Sequence, residues 1–291
     1  MNRESPFKAA AVQMNSSDDV AANLALTDEL LGEAAGRGAE IAVLPENFAL
    51  MARRSRQKTD IAEVPGEGPI QAFLSEAAQR HGLWIVAGSL PLKSPDAERT
   101  FGACLVVDDT GRRRDIYRKI HLCDVDLADS DESYRESRSM YPGDEPVVVK
   151  TPFGTLGLTI CYDLRFPELF RHLVDQGATL FTVPAAFTET TGRAHWHTLL
   201  RARAVENLAW VIAPGQVGTH PDDRSTFGHS LIVDPWGKVV AEVEEGNGVA
   251  VAEIDPARVD RLRREFPALD NRRLGPGSPG KAFNNAYGSN A

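Results

Sequence analysis

LGLTICYDLRFPEL, residues 156–169, joins an uninterrupted apolar run to a cysteine and then to a helix-like pattern. Leu156 to Ile160 carry no charge, and a short run of that kind reads as a strand buried on both faces. Past Cys161 the segment Tyr162-Asp163-Leu164-Arg165-Phe166-Pro167-Glu168 turns into a helix expected over about 166–176. Similar apolar runs lie at 8–12, 41–44, 84–87, 179–183 and 209–213. Helices are expected between them. One carries Val20, Leu24, Thr27, Leu31 and Ala34 at helical spacing, with Ser16 or Ser17 as its cap, and others cover about 69–81 and 192–207. Further strand-like segments at 101–108, 114–119, 146–151, 228–233, 238–243 and 248–254 have no helix between them. So many strands favour two stacked sheets over one open sheet, in an α/β fold with helices packed outside.

The chain has 291 residues, 42% of them hydrophobic, enough for one large core or two ordinary ones. Neither a clear linker nor an internal repeat divides it. A net charge of -9 repels phosphate backbones, so nucleic acid is not an expected partner. No run approaches the roughly 20 apolar residues of a membrane span, and MNRESPFKAAAVQM lacks the apolar centre of a signal peptide. Three cysteines, Cys104, Cys123 and Cys161, make neither an even disulfide set nor a CxxC pair. The expected compartment is a reducing cytoplasm, and no membrane is an expected partner. The polar, acidic stretch 124–138 reads as a surface loop. The Gly, Pro and Asn-rich tail 274–291 reads as disordered, or as an arm laid over a neighbouring subunit.

A thiol at a strand-to-helix turn lies near unpaired backbone N–H groups, which favour a thiolate and can hold an oxyanion. Cys161 occupies such a turn, although a buried cysteine also serves as a small hydrophobe. Cys104 sits inside the strand pattern GACLVV and reads as core, while Cys123 has no evident activator. Glu46 follows the apolar run 41–44, where partial burial would raise its pKa and make it a usable base. Lys119 ends the segment 115–119, where a cation would lower a thiol pKa and stabilise an oxyanion. Each alone is more often a solvated strand-end charge. Together they form one reaction-compatible set at the ends of expected strands.

LPENF (44–48), YRKIHL (117–122) and ICYDLRFPEL (160–169) resemble, in order, the three catalytic motifs of the nitrilase superfamily of carbon–nitrogen hydrolases. TGRAHW (191–196), RARAVEN (201–207) and FGHSLIVDPWGKVVAE (227–242) extend the resemblance, which covers residues 7–273 and sets them apart from the tail. It implies a four-layer αββα sandwich of two stacked mixed sheets flanked by helices. It also implies a homodimer or higher homo-oligomer, and a reaction with no metal or organic cofactor. Glu46 is then the general base, Lys119 the oxyanion cation and Cys161 the nucleophile. The Tyr162 N–H shares the oxyanion hole, and Glu136 positions substrate or water. Arg165 resembles a position that pairs a substrate carboxylate, its alternative being a salt bridge with Glu168 three residues on. Phe187 and Thr191 match pocket-lining positions of the omega-amidase-like branch. The implied reaction is hydrolysis of a small carboxylate-bearing amide through a thioester, with ammonia released.

Within the superfamily, the stretch from Thr191 to Gly237 is most similar to amidases acting on deaminated glutathione, with omega-amidases for 2-oxoglutaramate next. N-carbamoyl amino acid amidohydrolases commonly carry a second Arg where this chain has Leu164, and true nitrilases fit less well. Other chemistries find weaker support. A Cys–His pair would have to use His121 or His172, neither in a protease motif. His195 and His197 diverge on a helix, against a shared metal. Gly228-His229-Ser230 lacks the second Gly of a serine-hydrolase elbow, and no GxGxxG or P-loop occurs. A non-enzymatic binding scaffold needs none of the Glu46, Lys119 and Cys161 combination.

Overall fold

In strand Phe7–Gln13, Phe7, Ala9 and Ala11 point into one apolar core while Ala10 and Val12 point into another. Because both faces are covered, the strand reads as continuously apolar rather than alternating. The computed structural model describes residues 5–126 and 133–273. Phe7–Gln13 lies between Gly248–Ile254, antiparallel, and Ile41–Val43, parallel. The sheet continues through Trp84–Val86, Thr100–Val107 and Leu90–Lys93, and Arg113–Arg118 also pairs with Thr100–Val107, making seven strands. A second sheet of six strands runs Val239–Val243, Ser230–Val233, Trp210–Ala213, Leu180–Thr182, Gly154–Leu158, Val148–Thr151.

Three apolar layers show how the sheets stack. Ile41, Val43, Trp84 and Val106 of the first sheet meet Leu156, Leu158, Leu180, Trp210 and Ile212 of the second in one shared core. Leu30, Leu31, Leu74 and Ala77, from helices Val20–Gly36 and Pro69–His81, cover the outer face of the first sheet. Leu169, Phe170, Leu173, Trp196 and Leu200, from helices Pro167–Asp175 and Glu189–Asn207, cover that of the second. The expected αββα sandwich is therefore the observed one. No described helix is long and apolar enough to cross a membrane.

Two local expectations change. Asp19, rather than Ser16 or Ser17, caps helix Val20–Gly36, accepting from the Ala22 N–H at 3.1 Å. Ser16 is instead buried, its hydroxyl on the Phe48 carbonyl at 2.9 Å. The stretch 124–138 is not a plain loop. Asp124–Asp126 and Ser133–Arg135 pair antiparallel and lead into the 3₁₀ turn Glu136–Arg138. In its described part Arg135 holds both Asp126 oxygens at 2.7 Å, and Asp124 accepts from the Ser137 N–H at 3.0 Å. Residues 127–132 and the tail 274–291 lie outside the described residues.

Candidate active site

Glu46 leaves the end of strand Ile41–Val43 through Leu44 and Pro45, and its side chain is buried. The strand end is held close to Gly88, where a Cβ would fall 1.9 Å from the Pro45 carbonyl oxygen. Only glycine permits that approach, and its φ of +48° suits glycine as well. Lys119 follows strand Arg113–Arg118 and is fully covered. Cys161 opens the 3₁₀ turn Cys161–Arg165 after strand Gly154–Leu158. Its φ of +49° lies in the left-handed region, a strain of about 1–3 kcal/mol that the surrounding contacts must hold.

These three groups meet. Lys119 Nζ donates to Glu46 Oε1 and to Glu136 Oε1, each at 2.8 Å. Glu46 Oε2 accepts from the Ala186 N–H at 2.9 Å, and Cys161 lies near enough to feel the charge of the same carboxylate. Glu136 Oε2 accepts from the Cys123 N–H at 2.7 Å.

The electrostatics depart from the sequence expectation in two respects. Desolvation pushes the Glu46 carboxyl up, but the charge and hydrogen bond of Lys119 and the neighbouring Cys161 thiol outweigh it, so its pKa lies below the ordinary value. Burial, reinforced by the Glu46 charge, holds the Cys161 thiol well above the usual thiol range, and Lys119 only partly opposes this. Lys119 resists its own desolvation through Glu136 and Glu46, and its pKa is raised. The resting site is thus a neutral thiol beside an ionised carboxylate and an ammonium. Cys123 is pushed up to about 11, by desolvation first and Glu136 next. Cys104 is fully buried, as expected of a core residue.

The turn at Cys161 leaves one amide exposed to chemistry. The Cys161 N–H is taken by the Pro184 carbonyl at 2.7 Å and the Asp163 N–H by Ile160 at 3.1 Å. The Tyr162 N–H between them has no acceptor among the described residues. Asp163, to which the sequence reading gave no role, anchors this turn. It is completely buried and accepts from Tyr117 Oη at 2.6 Å, the Ile160 N–H at 2.8 Å, the His121 N–H at 3.1 Å and His121 Nδ1 at 2.7 Å. It therefore ties the cysteine turn to the strand that delivers Lys119.

Glu46, Lys119, Glu136, Cys161, Tyr162, Arg165, Phe187 and Thr191 all line one cavity of about 380 Å³. Arg165 makes no ion pair with Glu168 among the described residues. Its guanidinium lies 5.1 Å from the Phe187 ring and 5.7 Å from that of Tyr162, with His195 Nδ1 at 3.3 Å. Thr191 shares a 2.8 Å hydroxyl contact with Thr188. Lys58 and Arg224 also line the cavity, and nothing in the sequence reading singled them out. They sit in polar segments without an apolar period, so only the fold brings them in.

The rival groups lie elsewhere. His121 stacks on Phe166 at 3.7 Å and turns Nδ1 to Asp163, while His172 contacts Gln176. His195 and His197 do diverge on their helix. His197, however, joins His229 and Glu242, with ligand atoms all within 4.8 Å of one another, a set able to hold a metal. Both imidazoles already bond Glu242 Oε1, at 2.8 and 2.7 Å, and none of the three lines the cavity.

Comparison with known proteins identifies the family of the chain. Residues 8–264 match the carbon–nitrogen hydrolase family model. The deaminated glutathione amidase of Synechocystis sp. (strain PCC 6803 / GT-S) is 42% identical over 273 residues, covering 92% of this chain and 98% of its own. The C. elegans NitFhit protein structure superposes with a TM-score of 0.87 at 38% identity, over 94% of this chain and 66% of that one. Saccharomyces cerevisiae Nit3, a member of branch 10 of the nitrilase superfamily, gives 0.82 at 32%, over 92% and 97%. The chain belongs to the carbon–nitrogen hydrolase family of the nitrilase superfamily, and is a hydrolase of carbon–nitrogen bonds other than peptide bonds.

Proposed function

We propose that this protein is an amidase for deaminated glutathione, with Cys161 as nucleophile, Glu46 as general base and acid, and Lys119 as oxyanion cation. One observation carries the mechanism. An ammonium has three N–H donors, and Lys119 spends two of them on Glu46 and Glu136 beside Cys161. The third donor is left for a developing oxyanion.

In this reading Glu46 takes the thiol proton as Cys161 Sγ attacks the amide carbonyl. Lys119 Nζ and the Tyr162 N–H hold the tetrahedral oxygen. Collapse breaks the C–N bond, and Glu46 returns its proton to the departing nitrogen. Water, deprotonated by Glu46, then attacks the thioester, and Glu46 gives that proton to the released sulfur. For a primary amide the leaving group is ammonia. For deaminated glutathione it is the amine of cysteinylglycine, and the same proton transfer serves both. Glu136 fixes Lys119, and Arg165 takes a substrate carboxylate beside Phe187 and Thr191.

The substrate assignment draws on the name carried by the Synechocystis relative. Residues 7–273 are taken as one hydrolase domain, acting in the cytoplasm. A homodimer is proposed because Val205, Trp236 and Phe266 are exposed together. A Cβ on Gly237 would touch Val205 at 2.6 Å, and the Trp236 and Phe266 rings lie 6.0 Å apart. Kinetics on deaminated glutathione, 2-oxoglutaramate, carbamoyl amino acids and simple nitriles test the substrate. The highest kcat/KM is expected for deaminated glutathione; a higher value for any other member contradicts the assignment.

A further inference from the structure

Lys58 is a cavity cation with no part in the reaction just described. Lys58 comes from helix Arg56–Asp60 and lines the same cavity as Cys161. Its hydrogen bond goes to a neutral acceptor, Asn47 Oδ1 at 3.2 Å, and it forms no ion pair among the described residues. The residue is half-buried, and loss of water around its ammonium holds it below the ordinary lysine pKa; the charges of Glu136 and Glu46 oppose this only in part, and Arg224 and Lys119 add to it. A desolvated cation that faces a cavity without a contact ion pair is stabilised when a ligand brings a carboxylate into contact with it.

The other cavity cations are mostly engaged. Lys119 holds Glu46 and Glu136, Arg53 holds Asp18, Arg135 holds Asp126 and Arg224 holds Asp222. Lys58 and Arg165 are the two without a carboxylate partner among the described residues, and they come from different elements. Two such cations suit a substrate with two carboxylates. Deaminated glutathione carries one on its 2-oxo acyl part and one on the glycine of its leaving dipeptide. 2-Oxoglutaramate carries only the first.

We infer that Lys58 binds the carboxylate of the leaving amine, while Arg165 binds that of the acyl part, so that Lys58 selects dipeptide-sized leaving groups over ammonia. This rests on the amidase reading above. The test compares wild-type enzyme with Lys58→Gln and Lys58→Arg. The ratio of kcat/KM for deaminated glutathione over that for 2-oxoglutaramate should fall roughly ten- to a hundredfold in Lys58→Gln, chiefly through KM, and recover in part in Lys58→Arg. An unchanged ratio overturns the inference, including the case in which both substrates lose activity equally.

A second arm needs no turnover. Calorimetric titration with cysteinylglycine and with its C-terminal amide should show tighter binding of the free acid to wild-type protein, with the difference lost in Lys58→Gln. Equal binding of the two, or no binding of the acid, overturns the inference. A wild-type protein inert toward deaminated glutathione would instead remove the substrate proposal, and the dipeptide titration would still decide on Lys58.

Discussion

Lys119 is the residue on which the charges of the site balance. Two carboxylates within 2.8 Å keep its ammonium charged despite full burial. Lys119→Met should therefore lose about a hundred- to a thousandfold in kcat, the usual cost of one oxyanion donor, and leave Glu46 and Glu136 facing each other. Steady-state kinetics on folded variant protein check this. Cys161 has the opposite balance, since burial and the negative charge of Glu46 both disfavour its thiolate. Removing the Glu46 charge takes away one cause that raises the thiol pKa, so that Lys119 is opposed there only by burial and by Glu136. Glu46→Gln should thus shift iodoacetamide alkylation of Cys161 to lower pH while hydrolysis is lost. A shift to higher pH would contradict the assigned signs. The sequence named these residues because a nucleophile, a base and a cation each stood at an expected strand end. The sign of the pKa shifts was not legible, because it depends on which of burial and pairing dominates at distances only the fold sets.

At the scale of elements, the site is where strands from both sheets deliver their ends. Glu46 and Lys119 come from the first sheet and Cys161 from the second. Asp163 fastens the two, since Tyr117 and His121 flank Lys119 in sequence and both donate to it. Asp163→Ala would strand several buried donors at once and should cost about 3 kcal/mol or more. Calorimetry should show a clearly lowered Tm, and an unchanged Tm would remove Asp163 from this role. Apolar runs such as 41–44 and 156–160 made the central strands readable. Glu136 and Lys58 were harder. The ribbon leading to Glu136 is short and polar, and the pairing of its Asp126 with Arg135 is local and leaves no apolar period. The helix carrying Lys58 has five residues, none of them buried.

For the whole molecule, a net charge of -9 conceals a cavity lined by cations, so bulk charge says little about the ligand. The four-layer sandwich was legible because stacking two sheets buries both faces of each, and the sequence shows that as unalternating apolar strands. The surface is less legible, since a single exposed apolar residue is ordinary. Only the fold brings Val205, Trp236 and Phe266 to one region. If that region joins two copies, light scattering should give about twice 31.7 kDa, and Trp236→Ser should move the equilibrium toward monomer. A wild-type monomer would rule the dimer out.

The most direct measurement is peptide mass spectrometry of enzyme quenched in acid during turnover of deaminated glutathione, paired with a Cys161→Ala assay. The predicted result is a 2-oxoglutaryl thioester on the peptide containing Cys161, and no turnover by the folded variant. An acyl group on Cys104 or Cys123, or turnover that survives Cys161→Ala, would contradict the account.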